Sequence, residues 1–226
     1  MKILYIGRTD TYRLCKGGIN PSHWLYGTME MEKDGNEVIW ADESIALFND
    51  WKLVKKYRPD SVFIHNLNMR EHLVLSIMKA LGIIHCPIFG FLHHTPKGGK
   101  TKILYWIFLR GIKHIFFLSK KTMKETIERG YIQEKKCSVP GWGPDMDFYN
   151  KVPKKNGKWF VSTGKENRDF NILIEAFKRT GAPLKIMTAK SHAGNEYSDL
   201  KEKCQGFKNI EVIITENSGS VYPEML

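Results

Sequence analysis

Short runs of apolar, β-branched and aromatic residues recur along the first 140 residues, separated by segments with helical spacing. Each run has the length of a β-strand and ends in turn or loop residues. The predicted strands cover residues 2–7, 37–40, 61–66, 87–93 and 114–119. Near-continuous apolar strands that alternate with helices predict a parallel sheet covered on both faces, the doubly wound α/β arrangement.

The helical segments have recognisable ends. Apolar positions from 45 to 57 form one helix, which we expect to stop before Pro59. A second helix runs from 73 to 81 and is closed by Gly82, and a third runs from 123 to 131 around Gly130. These lengths suit helices that connect neighbouring parallel strands.

The alternation lapses between residues 140 and 153 and then restarts. Pro140 to Pro144 predicts consecutive turns, and residues 151–157 form a charged linker. Beyond it we predict strands over 158–164, 184–188 and 209–215, with helices over 170–180 and 196–204. The sequence therefore predicts two Rossmann-like domains, residues 1–150 and 151–226. Because the second has only three strands, we expect it to be incomplete, as in a fragment or a truncated reading frame.

Composition places the chain among globular proteins. Of its 226 residues, 42% are hydrophobic and 12% aromatic, which is enough for a substantial core. The chain is also longer than one typical domain of ~100–150 residues. No segment approaches the ~20 apolar residues needed to cross a bilayer, and the first residues do not form a signal-peptide pattern. Four scattered cysteines without a Cys-x-x-Cys pair suggest neither disulfides nor zinc. We therefore expect a cytoplasmic protein.

The net charge of +11 is unevenly distributed. Between His72 and Lys124 there is no Asp or Glu, and the same stretch holds nine lysines and arginines. Such a surface attracts anions, and the partner could be a nucleotide phosphate, a nucleic acid or an anionic membrane. A positive face that is simply solvated is the alternative. Residues 103–109 are apolar almost all round and predict either a helix in a membrane interface or one buried between domains.

Two glycines form the first candidate binding loop. Gly17 and Gly18 lie in the predicted first β-α turn, and Asn20-Pro21-Ser22 leads into the next helix. Paired glycines allow a ligand to approach the backbone closely, and a helix N-terminus offers free N–H groups to an anion. A simple tight turn is the alternative reading, since neither GxGxxG nor a Walker A loop is present.

His93 and His94 lie where the fourth predicted strand ends. Because ligands of open parallel sheets bind beyond the carboxyl ends of the strands, we expect these histidines at a crevice. There His93 could donate to a phosphate or sugar hydroxyl, or carry a proton; a purely structural histidine is the alternative. No metal site is expected, because adjacent residues in an extended chain face opposite ways and no further ligands are evident.

The second domain opens with another candidate site. Its first strand runs into Gly164, the cations Lys165 and Arg168 follow, and a helix begins immediately afterwards. A positive helix end with two cations is a common way to hold a diphosphate. In the alternative reading, Lys165 and Arg168 pair with Glu166 and Asp169 as surface ions.

These features together resemble the GT-B glycosyltransferases, particularly family 4 ("glycosyl transferases group 1"). The resemblance covers nearly the whole chain in the expected order. The segments that carry it are residues 2–18, DGNEVI at 34–39, RPDSVFIH at 58–65, LHHTP at 92–96, SKKTMK at 119–124, VPGWGPDMDF at 139–148 and STGKENRDFNILIEAF at 162–177.

The resemblance implies that a sugar is transferred, with retention, from a UDP- or GDP-sugar to a polysaccharide or glycolipid acceptor in a cleft between two domains. It implies no cofactor and no catalytic metal. His93 matches the histidine beside the reacting sugar, and Gly17 and Gly18 match a loop near donor phosphate and acceptor. Lys165 and Arg168, after Gly164, match the basic pair on the diphosphate, whose growing charge fixed cations would stabilise.

The chain departs from the family pattern in two places. Lys165 stands where the family usually has Arg, which keeps the charge and loses a bidentate fork. The family's E-x7-E segment, which grips the donor, would lie beyond the last residue, so we expect weak or absent activity. A non-catalytic GT-B-derived module that binds a membrane or a protein is the alternative function. The basic face could rest on the inner membrane surface, and nucleic acid is not an expected partner because no motif for reading it is present.

Overall fold

The computed structural model describes residues 1–44, 46, 48–99, 101–151, 157–164, 168–190 and 196–215. The chain divides into two compact units. The first comprises Met1–Gly17 and Pro21–Asp145, and the second comprises Gly18–Asn20 and the residues from Met146 onward. Each unit contains its own parallel sheet.

The first unit is built on a six-stranded sheet in the order β2-β1-β3-β4-β5-β6. All neighbouring strands are parallel. The strands are β1 (Lys2–Gly7), β2 (Glu37–Asp42), β3 (Ser61–Ile64), β4 (Ile88–Leu92), β5 (His114–Phe117) and β6 (Cys137–Ser138). The five predicted strands are present with ends shifted by up to two residues, and β6 was not predicted because two residues carry no periodic signal.

Helices connect these strands. In the first unit they are α1 (Thr9–Lys16), α2 (Thr28–Lys33), α3 (Asn49–Tyr57), α4 (Met69–Ala80), α5 (Lys102–Gly111) and α6 (Lys120–Glu128), with short 3₁₀ helices over Ser22–Leu25 and Glu134–Lys136. The predicted helix over 45–57 begins at Asn49 instead. Among the described residues, no helix has the length and apolar character needed to span a bilayer.

Consecutive residues of β1 point to opposite faces of the sheet, and both faces are covered. Leu4 and Ile6 belong to the larger core, which α3 to α6 complete, whereas Ile3 and Tyr5 belong to a smaller aromatic core on the other face. This double burial explains why the strand is apolar at successive positions, as expected for a parallel sheet.

Helix α5 packs one side against its own unit. Phe108 and Leu109 are buried in the larger core, and Gly111 lies so close to Ser76 of α4 that a Cβ atom would overlap it. Ile103 and Trp106 on the other side are 71% and 43% exposed. The amphipathic packing accounts for the apolar run; contact with an anionic membrane stays a prediction.

The second unit has a three-stranded parallel sheet in the order β7-β8-β9. Its elements are α7 (Met146–Tyr149), β7 (Phe160–Thr163), α8 (Phe170–Thr180), β8 (Leu184–Ala189), α9 (Leu200–Lys203) and β9 (Ile210–Thr215). The limits of α8 are those predicted: the Asp169 side chain caps its first turn, and Gly181 ends it with φ of 68°. Helix α9 is shorter than the predicted 196–204, and α7 was not predicted.

Candidate functional site

The strand order of the first sheet reverses between β1 and β3, and ligands of open α/β sheets bind at such a switch point. Gly7 ends β1 there, and His65 follows β3. A Cβ atom on Gly7 would lie 3.0 Å from Cβ of His65 and would overlap the Tyr5 ring. The two strand ends can approach this closely only because residue 7 is glycine.

Two tyrosines and two histidines, Tyr5, Tyr26, His65 and His93, form a Tyr-His cluster at this edge. The Tyr5 hydroxyl is 2.7 Å from Nδ1 of His65, and the Tyr26 hydroxyl is 3.1 Å from Nε2 of His93. The two imidazole rings are 5.8 Å apart. Tyr26 also stacks on Phe91 at 4.2 Å. The cluster thus joins the ends of β3 and β4 to the segment after the first 3₁₀ helix.

Burial keeps both histidines of the cluster uncharged at neutral pH. It lowers the pKa of His65 to about 3, with added repulsion from His93 and Arg8. Burial, with repulsion from His94, also lowers the pKa of His93, although a hydrogen bond with the His65 backbone opposes this. Burial raises the pKa of Tyr26 to about 12. His93 therefore offers a neutral imidazole suited to hydrogen bonding and proton transfer rather than a fixed positive charge for an anion.

The low pKa of His65 predicts a pH-dependent stability. The unfolded chain binds a proton at this ring near its ordinary pKa of about 6.5, whereas the folded protein does so only near 3. Between these values the unfolded state binds more protons, so the free energy of unfolding falls as the pH drops. We expect His65 to make the free energy of unfolding roughly 2 kcal/mol lower at pH 5 than at pH 7.

Urea unfolding at pH 7 and pH 5 measures this cost. The matched variant is His65→Gln, whose side chain is polar, similar in size and does not titrate. The wild type should lose more stability than His65→Gln between the two pH values. An equal loss in both proteins would show that His65 does not resist protonation in the folded state.

A cavity of about 460 Å³ adjoins the Tyr-His cluster. Its floor consists of Phe63, Phe91 and Phe116, one aromatic ring from each of three neighbouring strands. Tyr26 belongs to both the cavity lining and the cluster. The face of β3, β4 and β5 that carries these rings thus forms an aromatic floor beside His93.

Residues 140–145 form one wall of the cavity and are fixed by hydrogen bonds to the first 3₁₀ helix. The Asp145 carboxylate accepts from the Ser22 amide at 2.9 Å and from its hydroxyl at 2.6 Å. The Asp145 amide donates to Nδ1 of His23 at 3.0 Å, and the indole N–H of Trp142 donates to the His23 carbonyl at 2.8 Å. The predicted run of turns is therefore an ordered wall, which presents Trp142 with 44% of its surface exposed.

The lining suits a ligand with both apolar and hydroxyl-bearing faces. Aromatic rings provide flat apolar contact, while Glu30 and Asp145 supply carboxylate oxygens that accept hydrogen bonds. A pocket that is mainly apolar with a few converging polar groups is typical of small-molecule sites. A sugar ring, with its C–H faces and its rim of hydroxyls, has this combination of surfaces.

The Gly17-Gly18 loop lies elsewhere than predicted. The turn after β1 leads straight into α1, so Gly17 ends that helix and Gly18 follows with φ of 71°. The loop is therefore not the first β-α turn. The sequence did not reveal α1 because Cys15 is the only residue of this helix that is buried. One buried position gives no hydrophobic periodicity from which a helix could be predicted. The role of these glycines near a phosphate stays a prediction.

In the second unit, Gly164 and Arg168 lie together after β7. Gly164 has φ of 110°, and a Cβ atom there would come within 2.8 Å of Nε of Arg168. Arg168 is exposed, and within the described part of the chain it forms no ion pair. The neighbouring Asp169 carboxylate caps α8 instead, accepting from the Ile172 amide at 3.1 Å. Lys165 and Glu166 lie outside the described residues.

Sequence reasoning missed Tyr26, His65 and the Trp142 wall as parts of one site. His65 carried a usable signal, because it lies near the carboxyl end of a predicted strand, as His93 does. Tyr26 carried none, since it lies in an irregular segment and adopts a left-handed φ of 51°. Its position depends on stacking against Phe91, 65 residues further along the chain.

Comparisons with known proteins support the fold. No protein-family model matches the chain, and no curated protein sequence is significantly similar to it. Similar solved structures include a protein assigned as a UDP-N-acetylglucosamine 2-epimerase from Listeria monocytogenes, with 11% identity over 98% of this chain and 70% of that one, and a TM-score of 0.59.

Two structures of UDP-GlcNAc 2-epimerase from Methanocaldococcus jannaschii are also similar. One matches 99% of this chain and 76% of its own at 12% identity, with a TM-score of 0.57. The other, a complex with UDP-GlcNAc and UDP, matches 98% and 75% at 12% identity, with a TM-score of 0.52. The predicted α/β fold of GT-B type is confirmed, with two parallel sheets. No family model supports family 4 in particular.

Proposed function

We propose that this chain is a nucleotide-sugar enzyme that transfers a sugar from a UDP- or GDP-sugar to a glycan or glycolipid acceptor. The observation that carries the proposal is the aromatic-floored cavity of about 460 Å³ beside the Tyr26–His93 pair. A cavity of this size holds about one or two sugar rings, and aromatic floors suit their apolar faces.

In this proposal the first unit recognises the acceptor and moves a proton. An acceptor hydroxyl becomes a better nucleophile as it loses its proton, and a neutral imidazole can help it do so. His93 qualifies because burial lowers its pKa and because the Tyr26 hydroxyl holds its ring in place.

The second unit binds the diphosphate of the donor in this proposal. Arg168 is exposed beside the backbone turn at Gly164, so its guanidinium is accessible to phosphate oxygens. Guanidinium binds such oxygens in bidentate fashion. Lys165 adds a second cation by its place in the sequence.

Arg168→Ala tests the diphosphate assignment. We expect the dissociation constant for UDP or GDP to rise at least about tenfold, because a charge-assisted pair worth roughly 1.5–3 kcal/mol is lost. Isothermal titration calorimetry measures it. Arg179→Ala is the matched control, since this exposed arginine lies in the last turn of α8, at the opposite end of the helix from Arg168. If Arg168→Ala binds nucleotide as tightly as Arg179→Ala, the diphosphate is not held at this loop.

Epimerisation is the second candidate reaction, because the similar solved structures include UDP-GlcNAc 2-epimerases. The two reactions differ in their need for an acceptor. A 2-epimerase converts UDP-GlcNAc to its C2 epimer alone, whereas a transferase releases UDP in proportion to the acceptor supplied. Proton NMR of UDP-GlcNAc with the enzyme, with and without an oligosaccharide acceptor, separates them. Formation of the C2 epimer without acceptor would replace the transferase assignment.

A further inference from the structure

Three side chains of metal-ligand type converge near the end of β2, outside the aromatic cavity. They are Glu43, Glu71 and His72, here called the Glu43–His72 cluster, and one ligand atom from each lies within 4.8 Å of the others. Glu43 directly follows β2, and the other two lie in the first turn of α4. The parallel strands β2, β1 and β3 bring these segments to one edge of the sheet because their carboxyl ends coincide there.

His72 is oriented by a buried carboxylate. Nδ1 of His72 is 2.7 Å from Oδ2 of Asp50, and both residues are buried, with 0% and 4% of their side-chain surfaces exposed. A carboxylate at this position accepts, so Nδ1 carries the hydrogen and Nε2 faces the cluster. A carboxylate that holds the far nitrogen of a histidine is the usual support of a metal ligand.

Glu71 is also held in place. Oε1 accepts from the Asn68 side-chain amide at 2.6 Å, which leaves Oε2 3.7 Å from Nε2 of His72. Asn68 in turn caps α4 by accepting from the Arg70 amide. The helix start therefore fixes this ligand before any ion is bound.

The cluster contains buried polar atoms that lack partners. Within the described residues, Nε2 of His72 and Oε1 of Glu43 are inaccessible to solvent and make no hydrogen bond. A buried polar atom without a partner destabilises the folded state, because it has lost its hydrogen bonds to water. Glu43 and His72 are both members of the converging set, so a cation bound among these side chains would give their unpaired atoms a partner.

We propose that Glu43, Glu71 and His72 bind one divalent first-row transition-metal ion such as Zn²⁺ or Mn²⁺, with Asp50 as a positioning residue. Imidazole and carboxylate ligands suit these ions, and three protein ligands leave positions for water. Ligands of a tetrahedral zinc ion are about 3.4 Å apart, so the set would contract by on the order of 1 Å. The ion would tie the end of β2 to the start of α4.

The site is independent of the proposed function and differs from the sequence-based expectation of no metal. None of its residues lines the aromatic cavity. Its expected effect is therefore on stability, through binding to the folded chain.

Metal binding can be measured without an activity assay. Chelator-treated protein carrying no affinity tag is titrated with Zn²⁺ and Mn²⁺ by calorimetry and with Co²⁺ by visible absorption. We expect one ion per chain, a Co²⁺ spectrum typical of nitrogen and oxygen ligands, and a higher midpoint of thermal unfolding with metal. Absence of binding by the wild type to all three ions would overturn the proposal.

Near-isosteric variants identify the ligands. Glu43→Gln and Glu71→Gln should each weaken binding more than tenfold and remove the thermal shift, and Asp50→Asn should weaken it about 10–100-fold. Glu128→Gln, an exposed carboxylate paired with Lys124, should bind as the wild type does. Circular dichroism shows whether each variant is folded. Wild-type affinity in folded Glu43→Gln and Glu71→Gln would place the ion elsewhere and refute the assignment.

Discussion

Replacing His93 by glutamine is expected to lower kcat for sugar transfer by about 10²–10⁴-fold, the usual contribution of a general acid or base. Glutamine fills a similar space and can still bond the Tyr26 hydroxyl, but it cannot take up a proton at neutral pH. Substrate binding should change little, so KM stays near its original value. Steady-state release of UDP or GDP at saturating donor and acceptor measures the effect.

Tyr26→Phe is the control that separates proton transfer from positioning. It removes the hydroxyl 3.1 Å from Nε2 of His93 and leaves the ring stacked on Phe91. One hydrogen bond is worth about 1 kcal/mol, so we expect a loss of roughly fivefold to tenfold in kcat. If His93→Gln retains wild-type kcat, or loses no more than Tyr26→Phe, His93 does not carry the proton.

Phe91→Ala should lower the free energy of unfolding of the first unit by about 3–5 kcal/mol, the cost of truncating a buried phenylalanine. Phe91 is 3% exposed and contacts three rings: Tyr26 at 4.2 Å, Phe116 at 5.4 Å and Phe63 at 6.1 Å. Its loss would remove the support beneath Tyr26 as well as the centre of the cavity floor. We therefore expect Phe91→Ala to abolish acceptor binding as well as to lower the free energy of unfolding.

Urea unfolding followed by tryptophan fluorescence suits this measurement, because five of the six tryptophans lie in the first unit. Phe48→Ala is the control in the same unit. Phe48 is 49% exposed, and its truncation should cost less than about 1 kcal/mol. Equal destabilisation by the two substitutions would mean that the aromatic floor does not contribute to the core.

Much of the fold could be predicted because local patterns and tertiary packing agree. Strands such as β1 are buried on both faces, and this leaves a continuous apolar run in the sequence. Helix α8 has an Asp cap, apolar positions on one side and a closing Gly181, so its ends are local properties. Helix α1 and strand β6 escaped prediction because one buries a single residue and the other is two residues long.

The candidate sites were predictable only in part. His93 lies at the end of a strand of the first sheet, and Gly164 and Arg168 follow a strand of the second. Each parallel sheet collects such residues at its own carboxyl edge. The partners that define their chemistry come from distant segments: Tyr26 bonds His93 across 67 positions, and Asp145 bonds Ser22 across 123. No local spacing encodes these pairs. The neutral state of His93 likewise follows from burial, which the sequence does not show.

Hydrophobic periodicity and turn residues act over a few positions, so local sequence was enough to predict the alternation of strands and helices, the α/β class and three strands in the second unit. Which strand ends meet, by contrast, depends on the tertiary structure. The order β2-β1-β3 sets His65 beside Gly7, and it also brings Glu43 to His72. These contacts depend on which strands are neighbours in the sheet, and the strand order depends on packing across the whole sheet.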